Sequence, residues 1–306
     1  VKNKKISKKH LLIIGGTGFI GYHCFKFAKK FNWKFTSVSR NYPNKERKVK
    51  GVNYLELDIN SLGEIKKKLN KNFTHIINLV GSANKILEKK NKKLLTTTHL
   101  DSSKNIINFF SKKKIHRFIQ IGSAAEYGKN KIPHKENITC LPKSDYGVAK
   151  LKVTKHLLDL SSQKSFNGVV VRLFQVYGEQ QNKDKIIPYI LNNCQSNKKF
   201  KLTKGNQTRD FCYIGDAVKA IFLLLNKNDN INGQIFNVAS GKEISIKRLV
   251  SLIKKIVGRG RPIFGQIKFK KSEIVKSKAD IRKIKKLGWV PKINLETGLK
   301  MLSKRK

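Results

Sequence analysis

An α/β fold is what this sequence predicts: a doubly wound parallel sheet with a smaller C-terminal lobe. Three observations predict it. Short apolar runs alternate with segments of helical period along the first half of the chain, the pattern of parallel strands joined by helical crossovers. The runs are rich in β-branched residues, as strands buried on both faces are. A glycine-rich turn, Gly15 to Gly21, joins the first run to the first helical segment. With 306 residues, 39% of them apolar, the chain can bury a sizeable core. Its longer apolar runs, such as Ala220–Leu225, have core-element length and do not span a bilayer.

Each element follows from local pattern. The predicted strands are Leu11–Ile14, Phe35–Ser39, Tyr54–Leu57, His75–Val80, Arg117–Ile121 and Val169–Leu173. Between the first two, Ile20, Cys24, Phe27, Ala28 and Phe31 recur at helical spacing. Further helices are predicted over Leu62–Leu69, Leu94–Phe110, Tyr146–Leu160 and Lys185–Cys194. Beyond residue 172 the pattern is less regular. Gly178–Asn182 and Thr203–Thr208 read as loops, Ile244–Val257 and Leu295–Leu302 as helices, with Pro188, Pro262 and Pro291 as punctuation. The Asp216–Leu225 helix and the Ile235–Val238 strand are expected to return to the larger part. The division expected is 1–171, with 210–240 returning to it, against a lobe of 172–209 and 241–306.

The glycine turn carries the first chemistry. Gly15, Gly18 and Gly21 match the G-x-x-G-x-x-G form between a strand and an amphipathic helix. A side chain at Gly15 or Gly18 would obstruct the tight turn and the approach of a pyrophosphate. Gly21 lets the helix pack on the strand, and the helix N-terminus supplies N–H donors and the positive end of a dipole. This pattern resembles the Rossmann dinucleotide-binding arrangement. The second strand ends in Ser39 and Arg40, where an NAD-preferring site has a carboxylate for the ribose 2′-hydroxyl. Arg40 suits a 2′-phosphate, which favours NADP and leaves NAD as the alternative. Asp58, at the end of the third strand, is placed to accept from the adenine amino group.

A second motif lies at a helix start. In Tyr146-Gly147-Val148-Ala149-Lys150 a phenol and an ammonium stand four positions apart, on one helix face. A nearby cation stabilises phenolate, which suits Tyr146 to acid–base work near neutral pH. Ser123, just after the fifth strand, can hydrogen-bond the same substrate oxygen.

Together these residues resemble the extended short-chain dehydrogenase/reductases, the NAD-dependent epimerase/dehydratase family that acts on nucleotide sugars. The resemblance covers nearly the whole chain: Gly15–Gly21, Asp58-Ile59, Asn78-Leu79-Val80-Gly81, Gly122-Ser123-Ala124-Ala125-Glu126-Tyr127-Gly128 and Tyr146 to Lys150. It continues through Arg172-Leu173-Phe174-Gln175-Val176-Tyr177-Gly178, Thr208-Arg209-Asp210-Phe211, Phe236-Asn237-Val238 and Gly288-Trp289-Val290-Pro291. It implies a catalytic set of Ser123, Tyr146 and Lys150, with Tyr146 as general acid or base and Lys150 holding the nicotinamide ribose. Implied contacts to the dinucleotide come from Gly15, Thr17, Gly18, Phe19, Ile20, Gly21, Arg40, Asp58, Ile59, Leu79, Val80 and Gly81, besides Tyr146 and Lys150. Implied substrate contacts come from Ser123, from Gln175, where the family usually has asparagine, and from Arg209, which would grip the nucleotide diphosphate. The alternative for Arg209 is a salt bridge to Asp210. The C-terminal lobe is then a nucleotide-sugar-binding lobe, and a homodimer is implied.

Departures narrow the reaction. Sugar 4,6-dehydratases of the family carry Thr-Asp-Glu where this chain has Ser123-Ala124-Ala125, so a dehydratase is disfavoured. Glu126 adjoins that stretch, but on an extended segment it would face the opposite side. His99 replaces an asparagine usual in the helix before the fifth strand. Lys270 or Lys271 stands where a late arginine often helps to bind the diphosphate.

Charge and cysteines set the remaining bounds. Against 19 acidic residues stand 67 Lys and Arg, a formal charge of +48. Such a charge could serve nucleic acid or an anionic membrane surface. The basic residues are spread over every segment and form no block, which favours solvated surface over a nucleic-acid site, and no membrane insertion is expected. Cys24, Cys140, Cys194 and Cys212 lie far apart, with neither zinc spacing nor a disulfide framework, and no metal is expected. The basic Val1–Lys9 stretch precedes only Leu11–Ile14, too short for a signal-peptide core, so the chain reads as cytoplasmic.

Three functions remain open. The first is NADPH-dependent reduction of a nucleotide-linked 4-keto-6-deoxyhexose at C4. The second is a nucleotide-sugar 4-epimerase, of the UDP-hexose type, using tightly held NAD. The third, remote from both, is a nucleic-acid-binding protein on the same scaffold.

Overall fold

The computed structural model describes residues 9–81, 100–163, 166–228, 231–269 and 274–304. The basic N-terminus up to residue 8, His99, the 94–99 part of an expected helix, and Lys270 and Lys271 lie outside the described residues.

The main sheet has seven strands: β1 (His10–Ile14), β2 (Lys34–Ser39), β3 (Val52–Glu56), β4 (His75–Asn78), β5 (Arg117–Ser123), β6 (Gly168–Leu173) and, later in the chain, β10 (Gln234–Val238). Their order is β3-β2-β1-β4-β5-β6-β10, the doubly wound order with one strand added, and pairing from β3 through β5 is parallel. All residues of β4 and β6 are buried, as expected for strands covered on both faces. The helices of this part are α1 (Phe19–Ala28), α2 (Leu62–Lys68), α3 (Ser102–Ser111) and α4 (Asp145–Gln163).

The later chain adds β7 (Gln175–Tyr177), α5 (Ile186–Gln195), β8 (Lys199–Lys201), β9 (Thr208–Tyr213) and α6 (Ile214–Asn226). After β10 come β11 (Glu243–Ser245), α7 (Ile246–Val257), β12 (Arg261–Ile263), α8 (Arg282–Lys285) and α9 (Leu295–Ser303). Strands β11, β9 and β7 form a three-stranded sheet, and β12 pairs with β8. Among the described residues no helix is long and apolar enough to cross a membrane.

By packing, the chain divides into two compact units. The first comprises residues 1–121, 152–170 and 221–234, and the second 122–151, 171–220 and 235–306. Strands β5 and β6 pass from one to the other within their own length. Residues 122–151, which the sequence groups with the first strands, go with the second unit.

In the first unit the aromatic side chains of Phe27, Phe31, Trp33 and Phe222 pack in series, Phe31 stacking on Trp33 at 5.1 Å and on Phe222 at 5.8 Å. In the second unit buried carboxylates hold the irregular chain. Asp210 on β9 accepts from the backbone N–H groups of Ser240, Gly241 and Ala279 and from the Ser240 hydroxyl. Asp216, in the first turn of α6, accepts from the N–H groups of Lys292 and Ile293, and the Trp289 indole donates to its carbonyl.

Sequence and structure differ where elements are short. The segment read as a loop to Thr208 ends in β9, and the helix expected from Ile244 starts at Ile246 because Ile244 belongs to β11. Strands of three residues, such as β7, β8, β11 and β12, carry too little pattern to announce themselves.

The tightest approach in the first unit lies at the glycine turn. A Cβ at Gly21 would overlap the backbone of Gly16, so α1 rests directly on the turn. Gly21→Ala must push the helix away, and the cost expected is about 1–3 kcal/mol. Thermal unfolding of the purified variant against the parent checks this; an unchanged melting temperature would contradict it.

Candidate active site

The glycine turn sits beside β1, which has β2 on one side and β4 on the other, the point where the strand order reverses. Gly15 has φ +77°, a conformation that favours glycine, and its N–H donates to the Val38 carbonyl at 2.7 Å. A Cβ on Gly18 would stand 3.2 Å from the Gly15 carbonyl oxygen, inside the cradle. Gly18 caps α1 with extended backbone, and the first turn of the helix carries no acidic residue to oppose an anion. The absence of side chains here fits a dinucleotide pyrophosphate.

Ser39 has a task the sequence did not reveal. Its hydroxyl donates to the Val38 carbonyl at 2.7 Å and accepts from the Thr17 N–H at 3.3 Å, fastening the turn to the end of β2. Arg40 follows and is exposed. Asp58 is exposed, and one of its oxygens accepts from the backbone N–H and side-chain amide of Asn60. Ile59 is buried beside it. Phe19 and Ile20 are half-buried at the start of α1. Past β4, the Leu79 N–H donates to the Ile14 carbonyl, the Val80 N–H donates to the Asn78 side chain, and Gly81 has φ +122°. These residues form the edge of the first unit at the C-terminal ends of β1 and β4.

The second unit holds the other candidates. Ser123 ends β5 and caps a single 3₁₀ turn, Ala124–Glu126. Its Oγ accepts from the Ala125 N–H at 3.1 Å, which leaves the hydroxyl hydrogen as a donor. The expectation that Glu126 sits on an extended segment and faces away is overturned. The turn folds its carboxylate back, and Oε1 accepts from the Ser123 N–H at 2.8 Å. Oε2 accepts from Arg172 Nε at 2.8 Å, and both side chains are buried. A signal was present: Ser123-x-x-Glu126 is a capping-box pattern.

Next to this turn stands the start of α4. A Cβ on Gly147 would come within 2.5 Å of the Ala125 carbonyl oxygen, so only glycine lets the helix rest on the turn that carries Ser123. Tyr146 is half-buried, and Lys150, one turn on, is 3% exposed. Loss of water pulls the Lys150 ammonium down to about 8, against the attraction of Glu126. The guanidinium of Arg172 lies over the Tyr127 ring at 4.5 Å, and the Tyr127 hydroxyl donates to Asn237 at 2.7 Å. Burial acts against the Arg172 charge, yet Glu126 and Tyr127 hold its proton more firmly than usual. Asn237 in turn donates to the carbonyls of His134 and Asp280, fixing the chain that follows the Ser123 turn.

Gln175 opens β7 and is exposed; its register partner on β9 is Phe211, two residues beyond Arg209. Alternation along β9 puts Arg209 and Phe211 on one face. Arg209 Nη1 donates to the carbonyls of Thr208 and Ile274 at 2.7 and 2.8 Å. The carboxylate of Asp210 is engaged by Ser240, Gly241 and Ala279. Among the described residues no cluster of His, Cys, Asp and Glu could hold a metal. The four cysteines are free thiols, and burial pushes Cys24 and Cys212 up.

Comparison with known proteins places the chain in context. The sequence profile of the NAD dependent epimerase/dehydratase family matches residues 11–239. A putative UDP-glucose 4-epimerase of Methanocaldococcus jannaschii is 29% identical over 95% of this chain and 96% of its own. A CDP-abequose synthase of Salmonella muenchen is 27% identical over 63% of this chain and 77% of its own. Over 58% of this chain and 57% of its own, a dTDP-4-dehydro-6-deoxyglucose reductase of Escherichia coli is 28% identical. Among solved structures, UDP-glucose 4-epimerase of Thermotoga maritima with UDP-glucose superposes with a TM-score of 0.90 over 96% of this chain and 97% of that one, at 24% identity. A likeness at that identity speaks to the fold. Several such neighbours hold NAD.

Burial of Lys150 has a thermodynamic consequence. Its usual value is 10.5 and its folded value about 8, so between those pH values the unfolded chain binds the extra proton. Stability contributed at this site therefore rises with pH across that window, and the cost of the buried ammonium is complete below pH 8. Lys150→Met should stabilise the protein at pH 7 by up to roughly 3 kcal/mol. The gain should fade toward pH 10.5, the usual value, as the wild type loses the proton. Denaturant melts of both proteins across the range check it; a gain independent of pH would contradict the assignment.

Proposed function

The chain belongs to the NAD dependent epimerase/dehydratase family, and on that premise we propose that it is a reductase that uses NADPH to reduce a nucleotide-linked 4-keto-6-deoxyhexose at C4. The observation that carries this reading is the end of β2. Ser39 is committed to the glycine turn, and the next side chain is the exposed guanidinium of Arg40. A 2′-phosphate suits that arrangement better than a bare ribose hydroxyl. Net reduction also calls for a cofactor drawn fresh from a reduced pool. The likeness to a dTDP-4-dehydro-6-deoxyglucose reductase supports the same reaction. The stretch Ala124-Ala125 offers neither acid nor base, which speaks against a dehydratase.

Under this reading the glycine turn, Thr17, Phe19 and Ile20 hold the pyrophosphate at the start of α1. Arg40 takes the 2′-phosphate, Asp58 and Ile59 the adenine, and Leu79, Val80 and Gly81 line the path of the dinucleotide. When bound, NADPH supplies the hydride. Tyr146 gives its phenolic proton to the sugar oxygen as the carbonyl carbon becomes a carbinol. The Lys150 ammonium stabilises the phenolate left behind and orients the nicotinamide ribose. Ser123, whose hydroxyl hydrogen is a donor, polarises the reacting carbonyl. Gln175 and Arg209 meet the nucleotide diphosphate, with Arg209 giving up a backbone carbonyl as it turns.

A second reading is a 4-epimerase with tightly held NAD. It draws on the 4-epimerase relatives and NAD-bound neighbours, and on Glu56, a carboxylate level with Ser39 on β3. The same Ser123, Tyr146 and Lys150 would remove and return hydrogen at C4.

Steady-state assays with CDP-, dTDP-, UDP- and GDP-linked 4-keto sugars separate the two. NADPH should be consumed in preference to NADH, and Arg40→Asp should cut kcat/KM for NADPH roughly ten- to hundredfold. A preference for NADH in the parent enzyme would remove the argument. NAD retained through purification, with no net cofactor consumption, would establish the epimerase instead. For either reaction, Tyr146→Phe should keep its fold and lose about 10²–10⁴-fold in kcat; full turnover in that variant would refute the assignment of Tyr146.

A further inference from the structure

We propose that Glu126 is a positioning residue of this site, one carboxylate that fixes the Ser123 turn and supplies the negative charge that Lys150 faces. The inference rests on Ser123, Tyr146 and Lys150 acting as described above.

The argument begins with burial. Glu126 is 0% exposed and Arg172 2%. A carboxylate so placed must be paired, and ordinarily pairing with one guanidinium would account for it. Glu126 does more than that. One oxygen receives Arg172 Nε, and the other receives the backbone N–H of Ser123, each at 2.8 Å. An apolar side chain at this position would strip the Ser123 N–H of its acceptor and leave Arg172 charged in a site without water. It would also leave Lys150 without the carboxylate attraction that opposes its burial.

Glu126, on the 3₁₀ turn, attracts the Lys150 ammonium, Arg172 on β6 donates to the far oxygen of that carboxylate, and Tyr146 precedes Lys150 by one turn of α4. Of these Glu126 carries the opposite charge. Contact between the turn and α4 at Gly147 joins the two effects, since a shift of the turn moves Ser123 and the charge together. Position and charge thus depend on one side chain.

The test reads Lys150 directly, apart from turnover. The protein without added ligand is acetylated with acetic anhydride across a range of pH, and the peptide containing Lys150 is quantified by mass spectrometry. In the parent the reactivity midpoint should lie near pH 8. In Glu126→Gln, whose amide oxygen can still accept from Ser123, it should fall by about half a unit to one unit. Because that variant orphans Arg172, Glu126→Gln with Arg172→Met is the second protein; its midpoint should fall by less, since the lost guanidinium had opposed the carboxylate. Glu126→Asp keeps the charge but is too short to reach both partners. It should hold the midpoint near that of the parent while kcat drops. Midpoints unmoved in the folded neutral variants would overturn the proposal, leaving Glu126 a structural partner of Arg172. The reading of the site fails separately, if Tyr146→Phe and Ser123→Ala retain full turnover.

Discussion

A carboxylate and two cations sealed from water govern the candidate site. Glu126, Arg172 and Lys150 are all at most 3% exposed, and each charge there is far more consequential than at the surface. Desolvation and attraction oppose each other at Lys150, and desolvation prevails, drawing the ammonium down to about 8. At Arg172 the carboxylate at 2.8 Å prevails, and the guanidinium stays charged. The outcome is one fixed positive charge and one that can be lost just above neutrality. That contrast suits the proton transfer proposed for the site.

Missing side chains decide geometry as much as present ones. In the first unit Gly21 allows α1 to lie on the turn at Gly16, and Gly15 supplies a positive φ. In the second, Gly147 allows α4 to meet the Ala125 carbonyl, which places the helix of Tyr146 and Lys150 against the turn of Ser123. Around these contacts the remaining chain is tied down by polar anchors. Asn237 binds the carbonyls of His134 and Asp280, Asp210 gathers Ser240, Gly241 and Ala279, and Asp216 gathers Lys292 and Ile293. Irregular segments need such anchors because they lack the ladder of a sheet to satisfy their backbone groups.

Much of this was legible in the sequence. Period and β-branching located the six strands at the front of the sheet, since strands covered on both faces are largely apolar. The glycine turn and the spacing of Tyr146 and Lys150 were legible because their chemistry demands particular residues at particular intervals. Glu126 was misread, as alternation along an extended chain was assumed where the chain turns. Ser39 looked like the position of a missing acid, and its bond to the Thr17 N–H became visible only with the β2 end and the turn in place. Strands β7, β8, β9 and β11 depend on partners distant in sequence, and short windows do not record those. Arg209 was expected to meet a nucleotide diphosphate, and the carbonyls of Thr208 and Ile274 to which it donates were beyond reach.

Reduction and epimerisation at C4 ask the same of Ser123, Tyr146 and Lys150, and differ in where the hydride originates. Its passage from the nicotinamide to the sugar is therefore the claim on which the account stands. The direct measurement uses NADPH bearing deuterium at C4 of the nicotinamide, in each stereoisomer separately, with a nucleotide-linked 4-keto sugar and NMR of the product. The account predicts that one stereoisomer delivers its label to the sugar C4 and the other delivers none. Product formed with no deuterium at that carbon from either would contradict it.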